Sequence, residues 1–139
     1  MIMVLFGPPG AGKGTQAQFI VKKHNYFQLS TRDLIRKESK NNTNLGKEIE
    51  SIISKVYFVS DEIVNKLLEQ TILNLKFRDR IIFDGYPRNI FQAKNLDIIL
   101  KKYGQQINLV LKLTVSLETI KKRIKVISIT TTNENVPIN

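Results

Sequence analysis

The chain has 139 residues, a formal net charge of +10 and no cysteine. This length is enough for one domain with its own core, and the lack of cysteine excludes disulfides and thiolate metal sites. The charge favours anionic partners, and on charge alone nucleic acid, membrane surfaces and small phosphorylated ligands all stay open. No apolar stretch approaches the ~20 residues of a membrane span, and the first residues lack the pattern of a signal peptide, so we expect a soluble, cytoplasmic protein.

The first predicted strand, Ile2 to Phe6, is a continuous apolar run of the kind found in buried parallel sheets. It leads directly into the stretch GPPGAGKGT, Gly7 to Thr15. The glycines and the lysine of the phosphate-loop pattern are present, but Gly14 stands where the pattern asks for serine or threonine. Glycines let backbone N–H groups surround an anion, and the lysine adds a mobile positive charge. The stretch therefore predicts a site for the phosphates of a nucleotide.

The elements after the loop alternate between helix and strand. A helix is predicted from Gly14 to Lys23 with Phe19 on its inward face, and a short strand follows at Tyr26–Leu29. Between Thr31 and Ile53 two short helical patterns are separated by a polar turn cluster. Ser60 and Asp61 can then cap a helix with a long apolar stripe.

The second half of the chain continues the same alternation. A buried strand is predicted at Ile81–Phe83. A helix from about Asn89 to Tyr103 is predicted to bury Phe91, Leu96, Ile99 and Leu100. A further strand, Ile107–Leu113, precedes a helix capped by Ser116. Strands that alternate with helices indicate βαβ units, so we predict an α/β fold with a parallel sheet.

Gly14 has a consequence for metal binding. In most phosphate-loop proteins the hydroxyl at this position binds magnesium, and glycine has no hydroxyl. The metal must then be held mainly by nucleotide phosphates, water and a carboxylate elsewhere. Asp84 is the candidate, because it follows a buried strand at the end where open α/β sheets bind their ligands. We expect no direct metal site in the protein, with Asp84 as a water-mediated partner.

Four stretches of the chain carry a resemblance by their joint order and spacing. They are GPPGAGKGTQ (Gly7–Gln16), LSTRDLIR (Leu29–Arg36), FVSDEIV (Phe58–Val64) and FDGYPRNIFQA (Phe83–Ala93). Together they resemble adenylate kinases from Met1 to about Lys125, and Gly14-Thr15 resembles the loop variant of nucleoside monophosphate kinases. The resemblance implies a three-layer phosphate-loop fold with a core at residues 1–29 and 60–125. It also implies a small helical AMP-binding insertion at residues 30–59.

The resemblance implies a phosphotransferase that converts ATP and AMP reversibly into ADP, with Mg²⁺ delivered on ATP as the cofactor. Such an enzyme brings two polyanions together in line and neutralises the charge they share. The implied catalytic residues are Lys13, Asp84, Arg88 and Arg123. The implied ATP-binding residues are Gly10, Ala11, Gly12, Lys13, Gly14, Thr15 and Arg123. The implied AMP-binding residues are Thr31, Arg36, Tyr57, Phe58, Val59, Gly85, Tyr86, Pro87, Arg88 and Gln92.

Individual roles follow from the same resemblance. Arg36 and Arg88 match arginines that hold the phosphate of AMP, for which a planar guanidinium is well suited. Thr31 and Gln92 match positions that contact the adenine of AMP, and Gln92 can offer it both a donor and an acceptor. Arg123 matches the arginine that lies against the base of ATP.

The sequence departs from the family at two glycine positions. Arg32 stands where members usually have glycine, and its side chain either crowds the AMP pocket or adds a phosphate contact. Val56 replaces a second customary glycine. If the backbone there needs a positive φ, a β-branched residue is a poor occupant.

The last stretch, VISITTTNENVPIN, carries one charged residue, Glu134. Val126 and Ile127 occupy the places of the family's Gly-Arg. We expect residues 126–139 to form an irregular tail, the lid and the C-terminal elements to be missing, and the Ile107–Leu113 strand to expose an edge. These features predict a truncated member with weak activity.

Other interpretations stay open. The chain can be a remnant that binds adenine nucleotides without useful turnover, or a pyrimidine monophosphate kinase, although Thr31 and Gln92 favour adenine. A basic nucleic-acid binder is a third possibility, but no aromatic platform or recognition helix supports it. The expected partners are ATP, AMP and ADP, with no nucleic acid and no membrane, and we expect a monomer.

Overall fold

A parallel sheet forms the centre of the structure, a computed structural model that describes residues 1–74 and 79–123. Within these residues the sheet has four strands, in the order β2-β3-β1-β4. They are β1 (Ile2–Phe6), β2 (Phe27–Ser30), β3 (Ile81–Asp84) and β4 (Ile107–Lys112). All three neighbouring pairs are parallel, as predicted. The predicted tail, residues 126–139, lies outside the described residues.

Helices connect the strands. They are α1 (Lys13–His24), α2 (Thr31–Ser39), α3 (Asn44–Ser54), α4 (Asp61–Asn74) and α5 (Ile90–Lys102). Residues 117–123 are also helical. Side-chain caps explain where several of these helices begin, since each cap satisfies a backbone N–H that has no partner within the helix. Thr43 Oγ1 accepts from Gly46 N at 2.9 Å, and Asn89 Oδ1 accepts from Gln92 N at 2.8 Å.

Helices cover both faces of the sheet and make three layers. Along β1, Ile2 and Val4 join a buried cluster that includes residues of α4 and α5. Met3 and Leu5 point to the other face and join a second cluster, to which α1 contributes Ala17. This alternation is the period of two that a strand imposes on its side chains. The predicted α/β three-layer fold is therefore confirmed.

Two predicted inward side chains are instead exposed. Phe19 on α1 is 61% exposed and Phe91 on α5 is 55% exposed. On α1 the inward stripe contains Ala17 and Ile20, and Phe19 lies between them in sequence on a different side of the helix. On α5 the buried stripe begins at Gln92, one residue after Phe91. Both predictions were wrong because the apolar residues of these helices do not all share one face.

The register of the strands positions the site. Asp84 at the end of β3 pairs with Leu5 near the end of β1 and with Ser30 at the end of β2. The carboxyl ends of these three strands therefore lie at one edge of the sheet. That edge is where open parallel sheets hold their ligands.

The segment after β2 packs onto the core. Leu34 and Ile35 of α2 contact the cluster under α4 and α5, and Ile49 of α3 is fully buried. Gly46 allows α3 to lie close to the end of α2, since a Cβ there would collide with the backbone oxygens of Glu38 and Asn41. The division into a core and an insertion at residues 30–59 stays a prediction.

The far edge of the described sheet is β4. Its residues Leu109 and Val110 are 38% and 54% exposed. No helix within residues 1–74 and 79–123 is long and apolar enough to cross a membrane.

Candidate nucleotide site

The loop after β1 ends at the start of α1. Gly12 is the residue before the helix, with φ 91°, a left-handed conformation that glycine adopts without the steric cost of a Cβ. Among the described residues, no side chain caps this helix. The free N–H groups of its first turn, together with the positive end of the helix dipole, suit an anion.

Two cationic side chains bond to carbonyl oxygens of this loop. Lys13 Nζ donates to Gly7 O at 2.8 Å and to Pro8 O at 3.1 Å. Arg123, on the helical segment 117–123, donates from a guanidinium nitrogen to Gly10 O at 2.8 Å. The loop backbone therefore holds both charges beside its free N–H groups.

Two hollows flank the loop. The first, which we call the loop hollow, has a volume of ≈ 460 Å³. It is lined by Pro9, Gly10, Gly12, Lys13, Gly14, Thr15, Ser30, Arg32, Asp84, Gly85 and Arg88. The second has a volume of ≈ 590 Å³ and lies between the loop and the segment that carries Arg123. It is lined by Gly10, Ala11, Gly12, Thr15, Gln16, Lys122 and Arg123.

Asp84 is the carboxylate of the loop hollow. It is half-buried at the end of β3, and its Oδ2 accepts from Gln28 Nε2 at 3.1 Å. Carboxylate oxygens are ligands that suit magnesium, directly or through water. No group of three His, Cys, Asp or Glu residues that could hold a metal occurs in the described parts of the chain. The prediction that Asp84 assists a metal carried by phosphates is compatible with this geometry.

A further pocket of ≈ 550 Å³ lies between α2, α4 and the start of α5. We call it the α2–α5 pocket. It is lined by Thr31, Arg32, Ile35, Tyr57, Phe58, Val59, Asp61, Val64, Gly85, Tyr86, Arg88, Asn89 and Gln92. Arg32, Gly85 and Arg88 line both this pocket and the loop hollow. The two spaces therefore meet at two guanidinium groups.

Gln92 is buried in the wall of the α2–α5 pocket and is held by the protein at both ends of its side-chain amide. Its Nε2 donates to Asp61 Oδ1 at 2.7 Å, and its Oε1 accepts from Arg88 N at 2.7 Å. Asn89 Nδ2 donates to the other carboxylate oxygen of Asp61 at 2.9 Å. An amide has two donor hydrogens and two acceptor lone pairs, so, counting the contacts among residues 1–74 and 79–123, one of each stays free for a ligand.

Tyr86 extends the same network into the core. Its side chain is 1% exposed, and its hydroxyl donates to Asn65 Oδ1 at 2.6 Å and lies 3.1 Å from Gln92 O. Burial raises the pKa of the Tyr86 phenol above its ordinary value of 10.0. The hydrogen bond from Asn95 acts against this rise, and the nearby Asp61 carboxylate adds to it.

The carbonyl of Gly85 ties the two walls of the α2–α5 pocket together. It accepts from Thr31 Oγ1 at 3.2 Å and from Arg88 Nε at 2.8 Å. Gly85 has φ 78°, a left-handed conformation that disfavours other residues. The start of α2 and the turn before α5 are therefore joined at one oxygen atom.

The structure brings together most, but not all, of the predicted AMP-binding residues. Arg36 is exposed on α2 and lines neither the loop hollow nor the α2–α5 pocket, and Pro87 also lines neither. Tyr57 and Phe58 are 69% and 97% exposed at the rim of the pocket. Sequence reasoning missed Asp61 as a site residue. Its place directly after Ser60 suggested only a helix start, and nothing local indicated that it bonds to Gln92.

The geometry of the site indicates a broad class of protein. A glycine loop between a buried strand and a helix, beside a second pocket at the same sheet edge, is the architecture of phosphate-loop nucleotide-binding proteins.

Comparison with known proteins gives the family. Residues 5–136 match the family model described as adenylate kinase. This match runs past Lys125, where the resemblance was expected to end. The adenylate kinase of Pelagibacter ubique is 63% identical over 124 residues, which cover 89% of this chain and 58% of that protein. The chain belongs to the adenylate kinase family.

Relatives of lower sequence identity are also adenylate kinases. The adenylate kinase of Fusobacterium nucleatum is 47% identical over 122 residues, covering 88% of this chain and 58% of that protein. The adenylate kinase of Caulobacter vibrioides is 41% identical over 127 residues, covering 88% of this chain and 66% of that protein. The chain spans about three-fifths of the length of the curated relatives it matches.

Proposed function

We propose that this chain is an ATP:AMP phosphotransferase, which interconverts ATP and AMP with two molecules of ADP. One observation carries the proposal: the loop hollow and the α2–α5 pocket meet at Arg32, Gly85 and Arg88. A polyphosphate held in the first space and a monophosphate held in the second would face each other across this junction. Phosphoryl transfer needs little beyond such positioning and the neutralisation of charge.

The proposed roles of the loop residues follow from their geometry. Gly10 to Thr15 surround the phosphates of ATP with backbone N–H groups, and Lys13 neutralises the charge that moves between the nucleotides. Arg123 is bonded to Gly10 O and lies beside the second hollow. Its proposed role is to pack against the base of ATP. Family membership supports both assignments.

The α2–α5 pocket is the proposed AMP site. Gln92 offers its free donor and acceptor to adenine, Thr31 and the rim residues Tyr57 to Val59 surround the base, and Arg88 binds the phosphate. Because Asp61 and Arg88 N hold the amide of Gln92 in one orientation, little side-chain entropy is lost when a base binds.

Members of this family use ATP together with magnesium. When bound, the metal neutralises and orients the phosphates that are transferred. Asp84 fits the role of a water-mediated partner, because its carboxylate lines the loop hollow and, among the described residues, only Oδ2 accepts a hydrogen bond, from Gln28. Gly14 leaves the direct ligands to the nucleotide and water.

A second candidate function is nucleotide binding without useful turnover. Arg32, Arg88 and Arg123 are all exposed in the described structure. Water screens exposed charges, and fast phosphoryl transfer depends on a site from which water is excluded. This exposure favours slow transfer.

The test is an assay of ADP formation from ATP and AMP, with Lys13→Met as the background. Lys13→Met removes the loop charge but keeps a side chain of similar length. Turnover by the natural chain well above this background, with AMP preferred to CMP and UMP, supports the phosphotransferase. Binding of ATP and AMP with turnover at background supports the second candidate. Failure to bind either nucleotide would overturn both.

A further inference from the structure

Arg32 lines the junction of the two spaces, but the proposed function gives its side chain no binding role. It lies in the first turn of α2, beside Thr31, and lines both the loop hollow and the α2–α5 pocket. Arg88 is the other cation with this property. The two arginines approach the junction from different elements, Arg32 from α2 and Arg88 from the turn before α5.

The charge of Arg32 is not balanced by a partner within the described residues. Within residues 1–74 and 79–123 it makes no ion pair and no side-chain hydrogen bond, whereas Arg88 is tied to Gly85 O at 2.8 Å. Arg32 also sits at the N-terminal end of a helix, where the positive end of the helix dipole repels a cation. A guanidinium in an unfavourable field that also lines the loop hollow, beside the glycine loop and Lys13, points to an anionic ligand.

We propose that Arg32 binds the phosphate of the nucleoside monophosphate from the α2 side, opposite Arg88. This inference rests on the proposed function, because it assumes that the α2–α5 pocket holds AMP. Two guanidinium groups on opposite sides of one phosphate provide parallel charged hydrogen bonds and a defined orientation. Arg32 then determines how strongly the site prefers a phosphorylated nucleoside to the nucleoside itself.

The position of Arg36 strengthens this assignment. Arg36 is four residues further along the same helix, but it lines neither space. In the described structure the α2 cation that reaches the junction is Arg32.

The test compares four proteins by calorimetry with AMP, at low and at moderate salt: the natural chain, Arg32→Ala, Arg32→Lys and Lys37→Ala. Lys37 is the matched control, because it is an exposed cation on α2 that lines neither space. We expect Arg32→Ala to raise the Kd for AMP about tenfold, the size of one charge-assisted contact. Arg32→Lys should recover part of this loss, and Lys37→Ala should change the Kd less than threefold or so.

Two further readouts separate phosphate binding from a structural role. Added salt should weaken AMP binding more in the natural chain than in Arg32→Ala, because one charge contact has been removed. Adenosine, tested by competition, should bind equally to both. If AMP binds the natural chain and Arg32→Ala with Kd values within about threefold, this inference is wrong while the proposed function stands. If the natural chain does not bind AMP, the proposed function is wrong and this inference falls with it.

Discussion

The side chains of Gln92 and Asp61 are joined by a hydrogen bond of 2.7 Å, although 31 residues separate them in sequence. The bond links the start of α5 to the start of α4 across the wall of the α2–α5 pocket. It fixes the side-chain amide that we propose contacts the base of AMP. In this proposal the carboxylate of Asp61 acts on AMP through Gln92 and is a positioning group.

This relationship predicts the effect of Asp61→Ala. The change leaves Gln92 Nε2 and Asn89 Nδ2 without their acceptor, so we expect the free energy of unfolding to fall by about 2 kcal/mol. AMP should bind more weakly, because the amide of Gln92 can rotate. Chemical denaturation and calorimetry measure the two effects.

Glu62→Ala is the control for Asp61→Ala. Both changes remove a carboxylate from the first turn of α4, so the loss of helix-dipole stabilisation is shared. Glu62 is exposed, so Glu62→Ala should lower the free energy of unfolding by about 0.5 kcal/mol or less. A double-mutant cycle with Gln92→Ala should give a coupling of about 1 kcal/mol. Additive effects of Asp61→Ala and Gln92→Ala would contradict the proposed link.

Lys13 should be required for ATP to bind tightly. Its ammonium group is held at the loop by two carbonyls, where it can contact a polyphosphate. We expect Lys13→Met to weaken ATP binding at least about tenfold and any transfer rate by about 10² or more. Lys22 is an exposed lysine near the end of the same helix, so Lys22→Met should change neither the affinity for ATP nor the transfer rate. Equal calorimetric affinities of the two variants for ATP would refute the assignment of the loop.

Val56 occupies a strained backbone position. Its φ is 62°, a left-handed conformation that disfavours β-branched residues, and its side chain is 89% exposed. The sequence indicated that valine is a poor occupant of this position if the backbone has a positive φ, and the structure shows such a φ. Val56→Gly should therefore raise the free energy of unfolding by about 1 kcal/mol, the relief of strain minus the added entropy of glycine in the unfolded chain.

Val56→Ala is the matched control, because alanine keeps the Cβ that causes the strain. It should recover much less stability than glycine in the same denaturation experiment. The strain has no role if alanine stabilises the protein as much as glycine does, or if glycine destabilises it.

The buried phenol of Tyr86 should make the free energy of unfolding depend on pH in the alkaline range. Burial raises the pKa of its phenol above 10.0, so the folded protein holds this proton more tightly than the unfolded chain does. The contribution is fully present below pH 10 and is lost as the pH rises through the pKa of the folded state. The free energy of unfolding should therefore fall more steeply above pH 10 in the natural chain than in Tyr86→Phe.

The comparison uses denaturation curves at several pH values. Tyr86→Phe should also be less stable at neutral pH by about 1–2 kcal/mol, since Asn65 Oδ1 loses its donor and Asn95 Nδ2 loses its acceptor. Tyr57→Phe, at a 69% exposed position, should follow the natural chain at every pH. Parallel curves for Tyr86→Phe and the natural chain above pH 10 would show that the Tyr86 phenol does not contribute.

Features that depend on residues close together in sequence could be predicted from the sequence. The apolar run of β1, the glycines and lysine of the loop and the capping residue Ser60 each act within a few positions, and the structure has each of them where the pattern indicated. The order of the four motifs also indicated the family, because their spacing is specific.

The direction in which helical side chains point was less predictable. Phe19 and Phe91 are apolar but exposed, because burial depends on which side of each helix meets the sheet. A single sequence shows that a helix has apolar residues, and packing against a particular neighbour selects the face that is buried.

Sequence by itself determined the phosphate loop, the alternation of strands and helices and the membership of a family, since these follow from local patterns and their spacing. Only the tertiary structure decided the bond between Asp61 and Gln92, the burial of Tyr86 and the place of Arg32 where two spaces meet. These features require the ends of β1, β2 and β3 to lie side by side at one edge of the sheet. That alignment comes from backbone pairing between strands far apart in the chain, and no short stretch of sequence encodes it.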